Sequence, residues 1–184
     1  MLSRAILTTL LLRLLFCCLG DSCEADDSAA TNPVELDVLK ASIGVWDAEI
    51  EVWPQGPDAP SITFQGVETN RAYGEHWIAS DFDSEFMGQT MKVHSIVGYD
   101  LDKKKLVGTV IDHGPYAATM TGDYDAESQT VTWMTAAKTP GGQPIVQKTL
   151  VKQEGPGKRV LVLMVPGKDG VFTRFMQITF TKRD

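Results

Sequence analysis

After position 23 the chain has no cysteine. Its three, Cys17, Cys18 and Cys23, all precede that point, so the remainder can form no disulfide and offers no thiol nucleophile. Histidine is almost as scarce, with His76, His94 and His113 making up the whole complement and none following His113. There is no surplus of basic charge. The formal net charge is -7, and residues 1–25 hold two charges of each sign (Arg4, Arg13, Asp21 and Glu24), so the rest of the chain keeps that acidity. Nucleic acid and anionic membrane surfaces are therefore excluded as expected partners. No Gly-x-Ser-x-Gly elbow announces a hydrolase, no internal repeat is present, and no helical pattern recurs after residue 44. The 184 residues, 43% of them apolar and 22% charged, are enough for one globular domain with a real core.

The start of the chain has a different composition. MLSRAILTTLLLRLLFCCLG joins an early arginine to a leucine-rich run and reads as a secretory signal peptide over residues 1–25. A polar spacer over 26–33 and a folded domain over 34–184 follow. Arg13 breaks the apolar run, leaving it short of the about 20 residues that a membrane span requires, so no integral span is expected in the mature chain. Cleavage is expected near Cys23 to Ala25 or at Ala30. The residues before Cys18 and Cys23 suit lipid attachment poorly, which favours a periplasmic or secreted protein over a lipid-anchored one.

Asn32-Pro33-Val34-Glu35 carries helix-start chemistry: Asn32 as N-cap, Pro33 in the first turn and Glu35 reaching back. Leu36, Leu39 and Ile43 then fall at helical spacing, and Gly44 can take the left-handed conformation that ends two to three turns of helix. From Gly44 onward the period switches from 3.6 to 2. Trp46, Ala48, Ile50 and Val52 alternate with Asp47, Glu49 and Glu51. Runs of this kind, separated by turns such as Asp100-Leu101-Asp102-Lys103, predict strands near 45–53, 61–69, 76–83, 89–99, 105–112, 117–124, 129–137, 145–152, 158–165 and 171–181. About ten short sequential strands with hairpin links indicate an all-β, up-and-down antiparallel barrel with one short N-terminal helix, closure removing the exposed edges. A two-sheet sandwich is the alternative.

Helix, Gly44-Val45-Trp46 and an alternating strand resemble the entry to lipocalin-like (calycin) barrels. FMGQ at 86–89, GYD at 98–100, KKKLVGTVID at 103–112 and GDYD at 122–125, in that order, resemble the DUF1579 family of bacterial proteins of unknown function. The resemblance runs over roughly Leu36 to Lys182. It departs at Val110, where members usually carry an aromatic, and at His113, where a small polar residue is usual. It implies a lipocalin-like barrel and carries no catalytic residues.

The candidate sites are modest. Asp112-His113-Gly114-Pro115-Tyr116 is the most catalytic in character, with Asp112 to orient His113 as a base and Tyr116 to donate a proton; a polar strand end with a Gly-Pro turn explains the same residues. His76, His94 and His113 lie on different strands without metal-motif spacing, so no metal site is expected. Nitrobindin-like barrels bind haem through a late histidine, which this chain lacks; Met164 or Met176 would have to substitute, and no cofactor is expected. Asp100 and Asp125 are read as turn formers, Asp81, Asp83 and Glu85 as a solvent-facing row, and FMGQ as a hairpin or an apolar pocket lip. The leading expectation is a barrel holding a small apolar molecule, lined by Trp46, Ile50, Ile78, Phe82, Met91, Val93, Trp133 and Met176. An enzyme using Asp112, His113 and Tyr116, and a structural or partner-binding barrel with a filled interior, are the competing expectations.

Overall fold

The computed structural model describes residues 33–167 and 169–184; the expected signal peptide, the rest of the spacer and the Asn32 cap lie outside them. Helix α1 spans Val34–Ala41. Ten strands follow: β1 Gly44–Val52, β2 Ile62–Tyr73, β3 Trp77–Phe86, β4 Gln89–Asp100, β5 Lys105–Ile111, β6 Ala118–Asp125, β7 Thr130–Lys138, β8 Pro144–Gly155, β9 Lys158–Pro166 and β10 Phe172–Lys182. Each strand pairs with its sequence neighbours, and β1 pairs antiparallel with β10, so the sheet closes into an up-and-down barrel. The sandwich alternative is thereby excluded. β2 and β8 outrun their expected ends, to Tyr73 and Gly155, because ladder pairing continues where the hydrophobic alternation fades.

The helix start differs from the expected cap. Pro33 occupies the cap position with no side-chain bond, and its carbonyl accepts the amide of Leu36 at 2.9 Å. The helix also ends earlier than expected. Ser42 is the C-cap in right-handed conformation, and Gly44, at φ +130°, opens β1 instead. Leu36 and Leu39 are buried; Leu39 joins Ile78, Leu106, Val131 and Trp133 in one core cluster. The helix therefore plugs one barrel end. A second cluster, Trp46, Ala48, Ile50, Ile178 and Phe180, lies along the β1–β10 seam.

Trp46 ties these pieces together. Its indole Nε1–H donates to the Ser42 carbonyl at 2.7 Å, and the Asn70 side-chain amide donates to the same oxygen at 3.0 Å. Two strands thus hold the last turn of the helix through one acceptor. The turns behave as their chemistry dictates: Asp100 Oδ1 accepts the amides of Asp102 and Lys103, and Asp125 Oδ1 accepts that of Glu127.

Two family motifs owe their glycines to packing. Gly98 of GYD pairs across the sheet with Trp77, whose indole lies so close that a Cβ on Gly98 would stand 2.4 Å from the ring and 2.5 Å from the His76 carbonyl. Gly122 of GDYD faces Trp133 in the same way, with 2.7 Å available. Gly98→Ala is expected to lower stability by about 1–3 kcal/mol through overpacking, read as a lower urea midpoint with an unchanged m-value.

Candidate ligand-binding cavity

A barrel of ten strands is wider than its side chains fill when many inward positions are small. On the inward face Gly66, Ser80, Ser84, Ser95, Gly108, Ala118 and Ala137 alternate with larger residues. The result is a cavity of about 750 Å³. Its walls are mainly apolar, and it opens at the end opposite the helix, where the β1–β2, β5–β6 and β7–β8 connections lie. Six of the eight residues expected to line it do so: Ile50, Phe82, Met91, Val93, Trp133 and Met176. Trp46 and Ile78 are instead sealed in the core clusters, 0% and 1% exposed, because the helix and the β1–β10 seam cover them.

The mouth combines rigid and exposed elements. Phe86 stacks on Phe64 with ring centroids 4.8 Å apart, while Met87 forms the turn with positive φ and is 84% exposed. Neither Phe86 nor Met87 lines the cavity, so FMGQ acts as a hairpin at the rim. Tyr116 does reach the cavity, with Lys138 Nζ 5.0 Å from its ring centre.

A buried polar group lies at the closed end, where sequence alternation pointed to apolar lining alone. Arg159 is 8% exposed. Its guanidinium stands 4.2 Å from the Phe180 ring centre and 4.7 Å from that of Trp46, and it meets the Glu68 carboxylate as an ion pair. Burial pushes Arg159 down to about 10, which leaves it a cation at neutral pH. The signal for it is faint in sequence. β9 reads KRVLVLMVP, apolar on both faces, so parity cannot tell that Arg159 shares the inward side with Leu161 and Leu163.

The catalytic candidates are not joined to one another. Asp112 Oδ1 accepts the Gly114 amide at 2.6 Å in a local turn. His113 Nε2 accepts the backbone amide of Lys92 at 2.8 Å, taking the place of a β5 partner beyond Ile111. That acceptor role puts the neutral ring's proton on Nδ1. His113 and His94 border a cleft of about 500 Å³ on the outer wall, together with Arg71, Asp81, Asp83, Lys92 and Asp112. His76 stands at the helix end, its carbonyl accepting the Tyr99 amide. Among the described residues, no group of three or more His, Cys, Asp or Glu side chains is arranged to hold a metal. Of the two methionines considered for haem, Met176 faces the cavity, whereas Met164 pairs with Lys148 on the outer face.

These features define a lipocalin-like β-barrel with a hollow, one-ended interior. The chain belongs to the DUF1579 family, described as a protein of unknown function, whose model matches residues 34–182. Among solved structures it is similar to Rv2717c from M. tuberculosis, at 7% identity over 81% of this chain and 97% of that one, with a TM-score of 0.62. It is also similar to the S-type phycobiliprotein lyase CPES from Guillardia theta, at 11% identity over 82% and 92% of the two chains, with a TM-score of 0.53. At such identities the likeness is one of fold. Comparison with curated proteins gives no match.

In the outer cleft, Asp81 Oδ1 meets His94 Nδ1 at 2.7 Å and Oδ2 meets the Arg71 guanidinium. The His94 ring first, and Arg71 after it, hold the Asp81 carboxyl below the usual carboxylate range. The folded state therefore binds this proton less readily than the unfolded chain. Its contribution is complete above about pH 4 and is lost as pH falls through the folded value. Asp81→Asn is expected to flatten the acid limb of a stability–pH profile, by less than about 1 kcal/mol at this exposed site, as measured by urea unfolding at stepped pH.

Proposed function

We propose that this protein is an exported binding protein that holds a small, mainly apolar molecule inside its barrel. The cavity carries the reading. Its volume of about 750 Å³ falls within the range of small-molecule sites, and a closed end, apolar walls and one mouth are what capture of such a molecule requires. A filled structural barrel would have no such space. The enzyme reading finds less support, since Asp112 and His113 are each committed to a backbone amide. Export rests on the leader-like composition of residues 1–25.

Two measurements test the proposal. The neutral apolar probe N-phenyl-1-naphthylamine should brighten on binding and accept energy from Trp133 in the cavity wall. Thr149 lies between Trp133 and Leu163 on the inward face, so Thr149→Phe should weaken probe binding by about tenfold or more by filling the site. Ile96→Ala, on the outer wall, should leave it unchanged. Absence of probe binding to the wild-type chain sinks the reading. For export, the chain expressed with its leader should be recovered outside the cytoplasm, shorter by about 25 residues by intact mass; an uncut cytoplasmic product would refute it.

A further inference from the structure

The closed end of the cavity contains more hydrogen-bonding capacity than the protein uses. Arg159 Nε, Asn70 Oδ1 and Ser84 Oγ are buried and have no hydrogen-bond partner among the described residues. All three residues line the same cavity. Asn70 follows Glu68 by two positions on the inward face of β2, and Ser84 stands opposite Gly66, one inward step nearer the mouth. The orientation of the Asn70 amide is set by its Nδ2–H bond to the Ser42 carbonyl, which leaves Oδ1 as an acceptor. The cluster therefore presents one donor, one acceptor and one hydroxyl able to act as either. Leaving such groups buried and unmade costs about 1–3 kcal/mol each, so a ligand that completes them gains what the empty barrel lacks.

We propose that the cavity takes an uncharged amphiphile, an apolar chain with a hydroxyl- or amide-bearing head, seated head first against Arg159, Asn70 and Ser84. This rests on the binding reading above and names the class of molecule bound. Charge decides against an ionic head. Glu68 already compensates Arg159, and burial leaves Arg159 a cation whose only charged neighbour in the closed end is that carboxylate. A carboxylate head would add a second, uncompensated negative charge beside Glu68, and an ammonium head a second positive charge beside Arg159. A neutral head accepts from Arg159 Nε–H and donates to Asn70 Oδ1 without adding charge. The chain then lies along Phe82, Val93, Leu163 and Met176 toward the mouth.

The test is displacement of N-phenyl-1-naphthylamine from the purified chain at pH 8 by monolaurin, laurate and dodecane, which share an alkyl chain and differ in head. Monolaurin is expected to displace the probe about tenfold more strongly than either of the others. That preference should vanish in Glu68→Leu/Arg159→Met, where removing the pair together leaves no lone buried charge and the probe still binds. Arg159→Lys keeps the ion pair and deletes the Nε donor; it should lose the preference too, and it covers the case in which the double variant does not fold. Probe binding with equal displacement by all three, or with laurate ahead, overturns the neutral-head proposal and leaves the apolar site standing. A preference that persists in both variants overturns the assignment to Arg159. No probe binding to the wild type overturns the binding reading and this proposal with it.

Discussion

The Arg159 guanidinium crosses the seam at which the barrel closes. It starts on β9, passes over Phe180 of β10 and Trp46 of β1, and ends on Glu68 of β2, so one side chain spans four consecutive strands. The ion pair is buried, and a buried pair is costly to break from one side, by about 3–5 kcal/mol, because the remaining charge has no compensation. The seam therefore has a strong preference for one register. Trp46 extends the same device to the helix through its bond to the Ser42 carbonyl, so seam, plug and polar end of the cavity form one connected unit.

With the closed end held in this way, the rest of the barrel is free to be hollow. Small inward residues on β2 to β7 leave space along its axis, and large ones gather at the helix end and along the seam. Each large aromatic ring needs room in turn, and that room comes from glycine: Gly98 beneath Trp77, Gly122 beneath Trp133 and Gly66 beside Phe82. A glycine inside a strand weakens it by itself, yet here each is offset by a ring lying flat on the backbone. The glycines of GYD and GDYD accordingly belong to the packing of neighbouring strands, while their aspartates form the adjoining turns.

The chain's local patterns carried most of the architecture. Period-2 alternation and turn chemistry place ten strands within a few residues of their observed limits, since both are properties of adjacent residues. The helix was legible in Leu36 and Leu39, but its ends were not. Pro33 rather than Asn32 stands at the cap, and Ser42 rather than Gly44 closes it, because helix ends are set by what packs on them. Ile50, Phe82, Met91, Val93, Trp133 and Met176 were readable as inward residues from strand parity. Trp46 and Ile78 share that parity, and only the covering helix and seam remove them from the cavity.

His113 and Arg159 mark the boundary of that reading. Beside Asp112, His113 has the composition of an acid–base pair, yet the fold spends its Nε2 on the Lys92 amide, where β5 stops short of its neighbour. Arg159 sits in a run that is apolar on both faces, and nothing local shows that it points inward or that Glu68, ninety-one positions earlier, awaits it. By itself the sequence determined the strands, their order and their two faces, because these depend on residues one or two positions apart. Only the tertiary structure decided that the sheet closes between β1 and β10, that its interior is empty, and that a compensated charge lies at the bottom, because each depends on contacts between distant residues that no local period records.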